Sequence, residues 1–238
     1  MARSAMRVRA TAADGRARAW LKSAIADRRG AAFVEFAFIA PVLLLMALAM
    51  SDLSPAIMGE FHVDHANEST GDMASAYTQM QNSDMVNVLA VASDVLEPLP
   101  TTASNPEIRV TSVYTDGKGH AKVYWSCGLG LTPYTANTAV TSTPTGAAIN
   151  SLLATTLAGA ANTTYIMSEI SYSYQPVANY VLTHPITMTN TAYLLPRESN
   201  YVGFPWDGLS TDSPPVPTST TTNASSTLSD GATCSYAK

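Results

Sequence analysis

The sequence predicts an α+β protein in which one long N-terminal transmembrane helix precedes an extracytoplasmic domain of antiparallel β-sheet packed by helices. Three features point there. Ala31 to Met50 is a run of twenty residues, apolar apart from Glu35, that gives way at once to Ser51 and Asp52. Formal charge reverses across that run. Beyond residue 100, short stretches alternate apolar and polar side chains with a period of two, and turn-prone residues separate them.

A bilayer-spanning helix needs about 20 apolar residues, and the 31–50 stretch meets that length. Residues 1–29 hold eight Lys/Arg against Asp14 and Asp27, a formal +6, whereas the remaining 209 residues hold five basic and sixteen acidic side chains, a formal −11. Basic charge on the N-terminal side makes residues 1–30 a cytoplasmic leader and places residues 51–238 outside. A secretory signal peptide shares this plan. However, the apolar run exceeds a usual signal core, and Met50 to Ser54 lacks a small-x-small cleavage site. The leader's charge is therefore read as topology, and no nucleic-acid partner is expected of an acidic outer domain.

Residues 51–100 are read as a helical continuation and a second, amphipathic helix. Asp52 to Met80 is helix-compatible, with Ile57, Phe61, Met73, Tyr77 and Met80 as its apolar positions and Pro55 as a place for a kink. Ser83 is a good N-cap, Asp84 suits the positive end of the helix dipole, and Met85, Leu89, Ala92 and Leu96 form a stripe that stops before Pro98. Residues 101–238 form the α+β domain. Ile108, Val110 and Ser112 alternate with Arg109, Thr111 and Val113. After Asp116-Gly117-Lys118-Gly119, Ala121, Val123, Trp125 and Cys127 alternate with Lys122, Tyr124 and Ser126, which together predicts a hairpin. Gly146 to Gly159 has helical composition. Ile166, Ile170, Tyr172 and Tyr174 share one face of a strand ending at Pro176, and Ile186, Met188 and Ala192 lie in another between Pro185 and Pro196. Residues 210–229, rich in Ser, Thr and Pro, are read as a loop.

Chemistry-bearing patterns are sparse. His62 and His65, with Glu60, Asp64 and Glu68, put ligand-type side chains on one helix, but the spacing is not His-Glu-x-x-His and a solvated polar face accounts for it. His120 leaves a turn and His184 precedes a proline, so both are read as surface residues. No G-x-S-x-G, phosphate-binding loop or dinucleotide fingerprint occurs, so no catalytic residue, cofactor or metal is assigned. Cys127 and Cys234 both fall on the outer side. They can pair in an oxidising compartment or remain as two buried thiols, and the sequence leaves both open.

Glu35 is the residue a plain anchor does not explain, because an acid inside a membrane run needs a positive partner. Arg28 and Arg29 offer one. A cut after Gly30 would create another, an α-amino group at Ala31, with Glu35 then fifth in the mature chain. Basic residues, glycine, a cut and an apolar helix with glutamate at its fifth position resemble the type IV prepilin signal. RRGAAFVEFAFIAPVLLL in particular resembles the TadE/TadG-like pseudopilins of the tight-adherence (Flp) pilus system. SEISYSYQPV followed by PITMTNTAYLLPR resembles the same family's paired strands ending in Pro-Arg.

The resemblance implies a pilin-like architecture and a non-enzymatic, single-pass protein of the bacterial inner membrane. It further implies that Gly30 and Ala31 flank the bond cut by a prepilin peptidase, and that Glu35 is the acid that attracts a neighbouring subunit's N-terminal amine during assembly. Implied partners are that peptidase, other pilins and pseudopilins, the inner-membrane assembly platform and membrane lipid. The long leader and large outer domain favour a minor pseudopilin over a main filament subunit, and the chain is short for the large TadG type. Two other classes stand beside this one: an uncleaved, membrane-tethered binding module, and a secreted enzyme released beyond Met50.

Overall fold

The computed structural model describes residues 30–97, 106–115, 121–139, 164–176, 181–204 and 223–237. The predicted helix at Gly146 to Gly159, the turn at Asp116 to Gly119, His120 and the first part of the 210–229 loop lie outside the described residues. The contacts divide the chain into two units, one ending at Ser51 and one beginning at Asp52.

Helix α1, Ala31–Ser75, enters both units and continues through Pro41 and Pro55. From residue 32 to residue 50 most of its apolar side chains are exposed, with Phe33 at 80 % and Phe38 at 77 %. The helix is long and apolar enough to cross a membrane. Within the second unit α1 buries a different face from the one its large residues suggest. Asp52, Ala56, Gly59, Val63, Ala66, Asn67, Thr70, Gly71 and Ala74 are buried, spaced three and four apart, while Ile57 and Phe61 remain exposed. The physical reason is distance. Gly59 packs on Met188 and Tyr174, and a Cβ at Gly71 would run into Leu194, so the helix lies too close to the sheet for large side chains.

Helix α1 ends at Ser75 rather than running to Met80 as composition suggests. The Arg197 amide donates to the Ser75 carbonyl at 3.0 Å, and the Met80 amide donates to Gly203 at 2.9 Å, so the 77–80 stretch is drawn into a bridge with the 201–204 segment. Helix α2, Asn82–Leu96, starts two residues earlier than expected. Gln81 rather than Ser83 is its N-cap, because the Asp84 carboxylate accepts the Gln81 amide at 2.8 Å. Its stripe of Met85, Val88, Leu89, Ala92 and Leu96 is buried.

Among the described residues six strands, β1 (Glu107–Thr115), β2 (Ala121–Leu129), β3 (Thr164–Tyr174), β4 (Ile186–Leu194), β5 (Asn223–Thr227) and β6 (Thr233–Ala237), form one sheet in the order β4-β3-β1-β2-β6-β5. Every pairing is antiparallel. Strand β5 corrects the expectation of a loop over 210–229: Asn223–Thr227 pairs residue for residue with β6. Composition conceals it because a short edge strand needs backbone pairing, not bulky side chains.

A second correction concerns the alternation of β2. The register shifts between Ser112 and Val113, which oppose Trp125 and Val123, and Tyr124 is the extra residue of a bulge. Val123 and Ala121 therefore belong to one cluster with Val113, Tyr165 and Met167, whereas Tyr124, Trp125 and Cys127 join the main core with Ile108, Val110, Ile166 and Ile170. In that core the Trp125 indole donates to the Val202 carbonyl at 2.8 Å and its ring meets Phe204 at 5.4 Å between centroids. Burying each such aromatic side chain contributes about 1.5–3 kcal/mol.

Cys127 and Cys234 face each other across the β2–β6 ladder and are bonded, closing a loop of 107 residues. This bond ties the short β5–β6 hairpin to the centre of the sheet. A Cys127→Ser, Cys234→Ser double variant is expected to lose up to about 4–5 kcal/mol of stability by the chain-entropy account, measured by denaturant unfolding with and without reductant. Unfolding curves identical to those of the oxidised parent would show that the loop constraint is not felt.

Candidate assembly and processing site

The residues that the sequence singles out for processing and assembly sit at the start of α1. Gly30 is exposed, with open space where a Cβ would stand, and Ala31 is the first residue of α1. The Gly30–Ala31 peptide bond thus lies at the point where the helix begins. Glu35 stands four residues on, one helical turn or about 6 Å along the axis, and its side chain is exposed. Helix periodicity puts position 35 on the same face as position 31, at the end of the helix where the backbone dipole favours negative charge. A cut at this bond would leave an amine one turn from a carboxylate, both at the end of an apolar cylinder. Arg28 and Arg29 lie outside the described residues.

Further along α1, one of the ligand-type side chains, Asp64, attaches the helix to the sheet, together with Asn67 and Asp72, while His62 bonds within the helix. His62 Nδ1 donates to the Met58 carbonyl at 2.8 Å. Asp64 accepts from the Asn190 amide, and the Asn67 amide donates to Asn190 Oδ1 at 3.2 Å, so two turns of helix are joined to the middle of β4. Asp72 pairs with Arg197 just past β4. His65, Glu68 and Asp72 line an open groove against Asn190–Leu194. Among the described residues no group of three or more His, Cys, Asp or Glu side chains is placed to hold a metal ion.

Sequence reasoning missed a second polar centre on the face of the sheet away from α1. Arg109 Nε donates to Glu169 Oε2 at 2.7 Å, its other nitrogens donate to the Thr132 carbonyl at 2.9 Å and the Tyr134 hydroxyl at 2.6 Å, and the Tyr134 hydroxyl donates to Glu169 Oε1 at 3.2 Å. The guanidinium also stacks on the Tyr134 ring, 3.7 Å from its centroid. Arg109 and Glu169 are directly opposite in the β1–β3 register and mostly buried, at 14 % and 12 % side-chain exposure. The signal was present in principle: Arg109 falls within an otherwise apolar-rich strand. Its partner could not be read without the register. The cluster holds the segment after β2 onto the sheet.

Among the described residues one apolar helix long enough to cross a membrane leads into an α+β domain, and that defines the class of protein: a membrane-anchor architecture. Residues 30–66 match the family model described as TadE-like protein, so the segment carrying Gly30, Ala31 and Glu35 is TadE-like. That match ends within α1, before β3 and β4. Comparison with curated proteins and with solved structures gave no match.

Burial, and next the Glu169 charge, push the Tyr134 phenol up from 10.0 to about 12. Burial also raises Tyr165 and Tyr174, with Tyr193 adding to the first and the Asp52 charge to the second. An unfolded tyrosine ionises near pH 10, whereas folded Tyr134 holds its proton to about pH 12. Its contribution to stability is complete below about pH 10 and is lost as pH rises toward about 12. The unfolding midpoint should fall across that window, and Tyr134→Phe should make the fall shallower, with Tyr165 and Tyr174 supplying the rest. An unchanged slope in Tyr134→Phe would remove Tyr134 from the linkage.

Proposed function

We propose that this protein is a non-enzymatic minor pseudopilin of a tight-adherence pilus, a membrane-anchored subunit that assists initiation, assembly or adhesion. The observation that carries it is the TadE-like match, which opens at Gly30, the residue before the proposed cut, and includes Glu35. The mechanism follows from the helix start. A prepilin peptidase cuts between Gly30 and Ala31 and removes the basic leader. The new amine is then neutralised by the Glu35 carboxylate of an adjacent subunit as the two apolar helices come together. A charge pair in a low-dielectric bundle is strong, and an unpaired acid there is penalised, so the pair sets the axial register between neighbours.

The leader's positive charge supports an N-terminus in the cytoplasm and the disulfide supports an oxidising compartment for the domain; in this scheme the protein sits in a bacterial inner membrane. Its partners in this scheme are the peptidase, other pilins and pseudopilins, the assembly platform and lipid. Mass spectrometry of the membrane-extracted protein should give a chain beginning at Ala31. In an assembly assay Glu35→Ala should reduce incorporation by roughly tenfold, equivalent to about 1.4 kcal/mol. An intact N-terminus would sink the processing step. Full activity of Glu35→Ala would instead support the uncleaved, membrane-tethered binding module.

A further inference from the structure

Strand β4 is one edge of the sheet. It pairs with β3 from Ile186 to Leu194 in unbroken register, and among the described residues no strand pairs with its other side. Every second residue of such a strand turns its amide and carbonyl away from the sheet, so β4 offers a row of unused donors and acceptors. Natural edges are blunted by short length, charged side chains, proline or a bulge. Strand β4 has none of these. It is nine residues long, its sequence ITMTNTAYL has no Asp, Glu, Lys, Arg or Pro, and Pro185 and Pro196 stand outside it. The opposite edge, β5, has only five residues.

Helix α1 supplies a wall beside that edge. The two elements run in the same direction, with Gly59 at Met188, Asn67 at Asn190 and Gly71 at Leu194. His65, Glu68, Ser69 and Asp72 form one side of an open groove of about 580 Å³, and Asn190 to Leu194 form the other. Side chains of a strand alternate between faces, so a cleft over one face would meet every second residue, whereas this one meets five in succession. The groove therefore follows the backbone at the edge. On its wall Asp72 is paired with Arg197, while Glu68 is exposed and makes no ion pair among the described residues.

We infer that the free edge of β4 receives an extended segment of another protein as an added strand, with a Lys or Arg of that segment set against Glu68. Backbone hydrogen bonds supply the affinity and the helix wall supplies the selection. Charge decides against a second copy of this chain. Residues 30–238 carry a formal −11, and a second β4 would bring no cation but another Glu68. Every residue of the groove belongs to the unit that begins at Asp52, so strand addition here is independent of a cut after Gly30.

The test uses the full chain with its disulfide intact, in detergent micelles, and follows hydrogen exchange of the β4 amides. The probe is a capped synthetic peptide of about six residues, alternating threonine and valine around one lysine, at millimolar concentration. It should slow exchange of the edge-facing amides between Ile186 and Leu194 by roughly tenfold. The same peptide with its backbone amides N-methylated should give no protection, because it cannot donate to the ladder. Glu68 is exposed on the helix flank, so Glu68→Lys keeps the fold. In that variant the lysine peptide should lose its effect and a peptide with glutamate in the same place should gain it. Equal protection by the N-methylated peptide, or none by the lysine peptide, would overturn strand addition. Protection unchanged in Glu68→Lys would overturn the basic partner. Protection already present without peptide and rising with protein concentration would give the edge to a second copy and overturn its assignment to another protein.

Discussion

The unit that begins at Asp52 depends on the close approach of α1 to the β3–β4 edge of the sheet. Gly59 and Gly71 bring helix backbone against Met188, Tyr174 and Leu194, and Ala56, Ala66 and Ala74 lie on the same face. Small residues bury little apolar area each, so that face gains less from the hydrophobic effect than a leucine stripe would. Polar attachments offset the difference. Asp52 holds the segment before β4, Asp64 and Asn67 hold the middle of β4, and Asp72 with the Ser75 carbonyl holds Arg197 beyond its end. Helix and edge strand are thereby tied at three heights.

That arrangement also explains how one helix serves two environments. Up to Met50 its apolar side chains point outward on all sides, as a lipid-facing helix requires. From Asp52 the inward face turns small and polar while Leu53, Ile57 and Phe61 keep the outward face apolar. The helix therefore stops being lipid-like on one side before the other. The position of Asp52 on the inner side permits this, since a charged residue two positions past the run would otherwise face lipid or headgroups.

On the opposite flank of the sheet the stabilising logic differs. The β5–β6 hairpin has few apolar residues, and the Cys127–Cys234 bond attaches it to β2 beside Trp125. The bulge at Tyr124 is what lets Tyr124, Trp125 and Cys127 all face the main core, where Tyr124 and Trp125 meet Tyr114, Tyr201 and Phe204 edge-on or tilted. Without it Cys127 and Val123 would share a face, and one cluster would lose its apolar members.

Much of this was legible in the residues alone. Period and composition determined the apolar span, the stripe of α2, the strands β1 to β4 and the α+β class, because each is a local pattern of side-chain chemistry. The TadE-like stretch was legible for the same reason: the residues that carry the resemblance, from Gly30 through Glu35, are neighbours in the chain. Tertiary structure alone decided what depends on residues far apart in sequence. It selected the small-residue face of α1 over Ile57 and Phe61, because only the distance to β4 makes large side chains impossible there. It ended α1 at Ser75, made a strand of Asn223–Thr227, flipped half of β2 through a bulge and joined Arg109 to Glu169. Each of those outcomes is a pairing between backbones or charges, and a pairing has no signature in either partner taken by itself.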